Sequence, residues 1–190
     1  MGRPAVFLDR DGTVIREAQY LRSAAQVRLL PHAAEAIRRL NEAGLAVVVT
    51  TNQSGIARGL LTEADLEQIH DALRRRLARR GAMVDAIYFC PHHPEAGKPP
   101  YRRRCQCRKP APGMLLRAAR DLDLDLLRSF SVGDSERDLA AGRKVGARAV
   151  LVRTGYGRKT EAAGTAGADY VARDLREAVE WILRQRRAEA

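Results

Sequence analysis

The sequence predicts an α/β fold, a doubly wound and mostly parallel sheet with helices on both faces. Two observations carry that expectation. Short apolar runs alternate along the chain with stretches of helical apolar spacing. Three of the runs also end directly in residues able to do chemistry: Asp9-Arg10-Asp11, Thr51-Asn52-Gln53 and Gly133-Asp134. Open α/β sheets bind ligands beyond the carboxyl ends of their strands.

Taken in order, Ala5–Leu8 reads as the first strand. Residues 31–43 have helical spacing, with Pro31 suited to the first turn and Gly44 to the stop. Leu45–Thr50 is a buried strand, and Thr62–Arg80 a helix with Thr62 as N-cap and Asp65 three residues on. A third strand, Val84–Phe89, precedes a stretch over 90–113 with no periodicity. Then come a helix over Met114–Leu122, a strand over Ser129–Val132, a short helix over Ser135–Lys144 and a strand over Ala147–Val152. Asp169–Ala172 and Leu175–Leu183 suggest a last strand and helix. No repeat or linker divides the 190 residues, so one domain over 1–190 is expected.

Composition narrows the function classes. No run of about 18 apolar residues offers a membrane span. The amino terminus meets Asp9 and Asp11 too early for a signal peptide, so a cytoplasmic protein is the default. A net charge of +11 raises the question of nucleic acid. The arginines are spread over several predicted helices, however. In Leu73–Arg80 they surround Leu73 and Leu77 as the solvent face of an amphipathic helix. Three Phe, five Tyr and one Trp leave little for base stacking, so nucleic acid is not the expected partner.

Asp9 and Asp11, at i and i+2, share one face while strand geometry persists. Two carboxylates on one face repel and favour a cation such as Mg2+ between them, and one of them could attack phosphorus. The alternative is a solvated turn after a strand. Asp134 ends another strand in a similar way and could complete the cation site. It could equally be a helix cap, and Asp138 could join the acidic face or lie on a solvated helix. Thr51, Asn52, Gln53, Ser54 and Gly55 offer hydroxyl, amide and backbone donors for a phosphate, or form a polar turn. Arg108 and Lys109 supply cations before a helix, and a lysine near the carboxylates could keep a nucleophile ionised.

All three cysteines lie within 90–107, as Cys90, Cys105 and Cys107, with His92 beside them. Three thiols and one imidazole in two pairs suit a closed tetrahedral Zn2+ site with no open position. His93 is the alternative histidine. A disulfide would leave one cysteine over and is rare in a reducing compartment. The zinc would be structural, ordering a loop over about 90–109 that lacks secondary structure.

Together and in this order, the pieces resemble the haloacid dehalogenase-like (HAD) phosphatase superfamily over about residues 5–153. The resemblance implies a Rossmann-like fold with Asp9 as nucleophile and Asp11 as general acid/base. Thr51 and Lys109 would stabilise the transferring phosphoryl group, while Asp9, the Asp11 backbone carbonyl and Asp134 would hold Mg2+. The segments CPHHP, CQCRKP and TNQSGIARG look like the heptose 1,7-bisphosphate 7-phosphatase branch, with histidinol-phosphatases close.

That branch is nearly capless. It implies substrate contacts from Arg108 and from Glu17–Tyr20, chiefly Glu17 and Tyr20, and an aspartyl-phosphate route to removal of the 7-phosphate. Asn52, Gln53 and Ser54 would join the substrate site. Two residues depart from the branch: Gln19, where glycine is more usual, and Ser135, where lysine is common. The Arg102–Arg104 run favours a bisphosphate. Histidinol phosphate, and then a nucleic-acid 3′-phosphate, are the alternative substrates. A monomer acting on a small sugar phosphate in a lipopolysaccharide-type pathway, free of membrane and nucleic acid, is the expectation.

Overall fold

The computed structural model describes residues 2–164 and 167–188. Six strands form one parallel sheet: β1 (Arg3–Leu8), β2 (Ala46–Asn52), β3 (Ala86–Cys90), β4 (Leu124–Gly133), β5 (Arg148–Val152) and β6 (Tyr170–Ala172). Their order is β3-β2-β1-β4-β5-β6. The helices are α1 (Ala33–Glu42), α2 (Glu63–Ala78), α3 (Gly113–Leu122), α4 (Glu136–Arg143), α5 (Gly157–Ala162) and α6 (Leu175–Ala188). The expected α/β class and parallel sheet are therefore what the chain forms. Among the described residues no helix is long and apolar enough to cross a membrane.

The strand pattern explains the two layers. In β1, Val6 and Leu8 face one side with Val47, Phe130 and Val132, under α1, α2 and α6. Ala5 and Phe7 face the other with Ala46 and Val48, beneath α3. Both faces of the sheet are thus covered, which is why its strands read as continuous apolar runs rather than as alternating ones.

Boundaries differ where local signals were weak. α1 starts at Ala33, not Pro31, because the chain first reverses at His32, at φ 60°. β2 runs on through Thr51 and Asn52, which pair with Phe89 and Cys90, so these two residues are strand rather than loop. β4 begins five residues before the expected Ser129 and carries a register shift against β1. Thr62 caps α2 as expected, its side chain accepting from the Asp65 amide at 3.1 Å.

β1 connects onward to β2 on one side and lies beside β4 on the other, so the strand order reverses between β1 and β4. A crevice opens at such a switch point, at the carboxyl ends of the strands. Asp9 leaves the end of β1 and Asp134 follows the end of β4, which makes the two neighbours.

Candidate active site and metal cage

A cavity of about 210 Å3 sits over those strand ends. Asp9, Asp11, Glu17, Tyr20, Thr51, Asn52, Gln53, Ser54, Lys109 and Asp134 all line it, with Arg10, Gln19, Ser135, Arg137 and Asp138. The fold thus brings together the sequence-derived candidates from β1, the end of β2, the loop before α3 and the end of β4. Arg108 is the exception. It does not line the cavity, and its Nη1 donates to the His92 carbonyl at 3.1 Å.

Lys109 is the hub. Its ammonium is buried and lies 2.8 Å from Asp9 Oδ1 and 2.6 Å from Asp138 Oδ1, and it donates to the Thr50 carbonyl at 2.6 Å. Asn52 holds the Lys109 backbone at both ends: its Nδ2 donates to the Lys109 carbonyl and its Oδ1 accepts from the Lys109 amide. Burial alone would lower the Lys109 pKa, but Asp138 and Asp9 outweigh it and raise it, so the lysine stays charged. Asp138, which reads from sequence as either site or solvated helix, belongs to the site. It is 2% exposed, and its Oδ2 accepts from Ser135 N and the Ser135 hydroxyl.

Asp9, Asp134 and Asp138 each present an oxygen, all within 4.8 Å of one another. Three carboxylates against one ammonium leave negative charge unbalanced in a buried place. Burial is the main reason the Asp9 carboxyl sits well above the usual range, with Asp138, Asp11 and Asp134 adding to it and Lys109 opposing. Asp134 is pushed up to about 7 by burial, against the Tyr156 amide that donates to its Oδ2 at 2.8 Å, with Asp138 and Glu17 raising it further. An oxygen-only cluster of this charge fits a hard divalent cation such as Mg2+. Gly12, at φ 80°, belongs to the same geometry, since a Cβ there would collide with Asp134 Oδ2. The Asp11 carboxylate lies outside the cluster. It accepts from Arg10, from Gln53 Nε2 at 3.0 Å and from Thr51 Oγ1 at 3.4 Å, so any metal ligand from Asp11 is its main-chain carbonyl.

Three cavity residues carry information that the sequence withheld. Arg137 lines the cavity, donating from Nε to Ser135 Oγ at 3.1 Å. Arg10 is buried against Asp11. Gln19 adopts φ 57°, a left-handed conformation that favours glycine and costs other residues about 1–2 kcal/mol. The departure from glycine at this position is therefore strained in place. Tyr20 keeps its seat, with the Arg58 guanidinium 5.9 Å over its ring.

The second cluster is a cage of four atoms. Cys107 Sγ lies 3.2 Å from both Cys90 Sγ and Cys105 Sγ, and His92 Nδ1 lies 3.3 Å from Cys107 Sγ and 3.6 Å from Cys90 Sγ. These spacings far exceed a disulfide bond of about 2.05 Å. They approach the edges of a tetrahedron around an ion about 2.3 Å from each sulfur. All three cysteines are free. The donor set fits zinc. His93 is not part of the cage: its Nδ1 accepts from the amides of Glu95 and Ala96, which removes it as the alternative ligand.

His70, on α2 behind the site, is 1% exposed. Burial holds its imidazole down to about 3, with Arg10 and Arg74 adding to the effect. The unfolded chain binds this proton near pH 6.5, and the folded chain only near pH 3. Stability from this residue is complete above about pH 6.5 and falls as pH drops towards 3, by up to about 1.4 kcal/mol per pH unit. His70→Leu is expected to flatten that decline, measured as Tm from pH 7 to 4. A variant whose Tm falls as steeply as the parent's would contradict the assignment.

Known proteins resemble this chain in sequence and in fold. A family model described as HAD-hydrolase-like matches residues 106–178. D-glycero-beta-D-manno-heptose-1,7-bisphosphate 7-phosphatase from Photorhabdus laumondii is 45% identical over 85% of this chain and 86% of that protein. D-glycero-D-manno-heptose-1,7-bisphosphate 7-phosphatase from Thermosynechococcus vestitus is 43% identical over 96% of each. The crystal structure of the D,D-heptose 1,7-bisphosphate phosphatase from Bordetella bronchiseptica, complexed with magnesium and phosphate, superposes with a TM-score of 0.86. It is 44% identical and covers 96% of this chain and 99% of that one.

Proposed function

Because the chain belongs to the heptose 1,7-bisphosphate 7-phosphatase family of HAD-like hydrolases, we propose that it hydrolyses the 7-phosphate of D-glycero-D-manno-heptose 1,7-bisphosphate through a phosphorylated Asp9. The observation that carries this reading is the buried Lys109 ammonium between Asp9 and Asp138, with Asp134 alongside. Asp9 attacks phosphorus while Asp11 gives its proton to the departing C7 oxygen. Asp11 then takes a proton from water, which attacks the aspartyl-phosphate, releases phosphate and restores Asp9. Lys109 favours the ionised form of Asp9 and, with Thr51, offers donors to the phosphoryl oxygens. Asp9, Asp134 and the Asp11 carbonyl would hold Mg2+, which when bound neutralises charge on the phosphoryl group and the carboxylates. The Cys90, His92, Cys105 and Cys107 cage would hold a structural Zn2+, fixing the loop that carries Arg108 and Lys109.

The site suits a substrate with a second phosphate. Arg137 has no carboxylate partner among the described ion pairs, and it lowers the pKa of the half-buried Arg108 after burial itself, against Cys90 and Cys105, which raise it. Arg137 lines the cavity, so it offers a cation to an anionic group bound there. Glu17, Tyr20 and Gln53 supply the polar walls that would meet the sugar hydroxyls. An unpaired cation in the cavity favours a bisphosphate over the cationic amine of histidinol phosphate.

The test is kcat/KM with Mg2+ for both anomers of the heptose 1,7-bisphosphate and for histidinol phosphate. A preference of at least about 100-fold for a heptose bisphosphate is expected, since each charge-assisted hydrogen bond contributes about 1.5–3 kcal/mol. Preference for histidinol phosphate would overturn the substrate. Arg137→Ala is expected to raise KM for the bisphosphate about tenfold or more with little change in kcat. An unchanged KM would remove Arg137 from the substrate site.

A further inference from the structure

Arg10 stands between the two catalytic aspartates, and its side chain is 1% exposed. A fully buried arginine is uncommon, and its charge must be matched. Here it is matched by the next residue. Arg10 Nε donates to Asp11 Oδ2 at 3.1 Å and Nη2 donates to Asp11 Oδ1 at 3.2 Å, so one planar fork engages both oxygens of one carboxylate. Gln53 Nε2 adds a donor to Oδ2 and is itself steadied by Thr51 Oγ1 at 2.7 Å. Behind the guanidinium stands α2. After burial, Arg10 is the largest influence on the His70 imidazole, and Arg10 Nη1 and His70 Nε2 are both buried without a hydrogen-bond partner among the described residues. Arg10 therefore spends its directed contacts on Asp11.

A general acid/base works only when its oxygen is held within hydrogen-bond reach of the group that takes or gives the proton. Asp11 lies beyond the end of β1, where strand geometry no longer fixes its side chain. A two-point contact to a rigid guanidinium sets both the position and the plane of the carboxylate. A lysine would supply the charge but not the plane.

We propose that Arg10 is a positioning residue for the reaction, aligning the Asp11 carboxylate without touching substrate. This inference rests on the reading of Asp11 as general acid/base. In the step at issue the Asp9–phosphorus bond forms, the bond from phosphorus to the C7 oxygen breaks, and the Asp11 proton passes to that oxygen. A leaving group that needs no proton should be indifferent to how well Asp11 is aligned.

The experiment compares kcat/KM for the heptose bisphosphate, which leaves as an alkoxide, with that for p-nitrophenyl phosphate, which leaves as a stable phenolate. The enzymes are the parent, Arg10→Lys, Arg10→Gln and Asp11→Asn. Arg10→Lys is expected to lose about 100-fold or more on the heptose bisphosphate and less than about fivefold on p-nitrophenyl phosphate, in line with the effect of misplacing a catalytic group. Asp11→Asn should show the same split, and Arg10→Lys combined with Asp11→Asn should lose little beyond Asp11→Asn alone. Beryllofluoride, which occupies the nucleophile without needing an acid, should bind Arg10→Lys within about threefold of the parent. Equal losses on both substrates, or weakened beryllofluoride binding, would make Arg10 a structural support of the whole site and overturn the proposal. If Asp11→Asn splits the substrates and neither Arg10 variant does, only the role of Arg10 fails. If Asp11→Asn shows no split, the general-acid reading of Asp11 fails first and takes the Arg10 proposal with it. Arg10→Gln, which is neutral and can reach Asp11 from one nitrogen only, so that it too loses the fork and should show the same split, serves if Arg10→Lys does not fold.

Discussion

Asp9→Asn is expected to lower phosphate release by at least about 1,000-fold while leaving the protein folded. An amide cannot attack phosphorus as a carboxylate can, so the covalent route closes and its large rate advantage is lost. The fold should tolerate the change because the replacement is isosteric and Lys109 keeps Asp138 at 2.6 Å. Removing one of three crowded carboxylates also relieves the repulsion and burial cost that hold Asp9 itself well above the usual range. The thermal midpoint in chelator should therefore stay the same or rise. Phosphate release and a circular dichroism melt on the same sample check both halves. More than about one per cent of parental activity would sink the nucleophile assignment.

Cys105→Ala is expected to empty the cage of zinc and to disable the active site at a distance. Cys107 and Lys109 are two residues apart, and Arg108 between them is tied to the carbonyl of the cage residue His92. A four-ligand site that loses one thiolate loses most of its affinity, and metal binding to such a loop is folding energy. A loss of about 3–5 kcal/mol corresponds to roughly 10 °C in Tm for a chain of this size. Activity should fall by at least about tenfold as Lys109 loses its fixed approach to Asp9. Metal content by plasma mass spectrometry, read beside Tm and turnover, checks the chain of cause. A full zinc complement in Cys105→Ala would refute the ligand set.

The parts of this molecule that the sequence discloses are those with a strong local signature. Ala5–Leu8 and Leu45–Thr50 are buried on both faces, so an unbroken apolar run suffices to mark them. Those runs and Ser129–Val132 deliver Asp9, Thr51 and Asp134 to one end of the sheet, and the three cysteines with His92 cluster within a span too short to miss. Where the signature fades, the structure adds what the sequence could not. α5, over Gly157–Ala162, buries only Gly157 and has no apolar stripe to detect. After the buried Leu124, β4 runs through four partly or fully exposed residues, and its first half is fixed by pairing with Arg3 and Pro4 rather than by its own pattern. Arg10 and Arg137 sit among 34 basic residues. Nothing local separates a guanidinium buried against a carboxylate from one in solvent. Asp138 reads as either part of the acidic face or a residue of a solvated helix; one of its oxygens meets Ser135 at the start of α4, and the other reaches Lys109 only once the fold is closed.

The most direct test of the central claim follows heptose 1,7-bisphosphate by 31P nuclear magnetic resonance as the enzyme turns it over with Mg2+. The C7 monoester signal should disappear as inorganic phosphate grows, while the anomeric C1 phosphate remains. Loss of the C1 signal first, or both signals unchanged under conditions where histidinol phosphate is consumed, would contradict it.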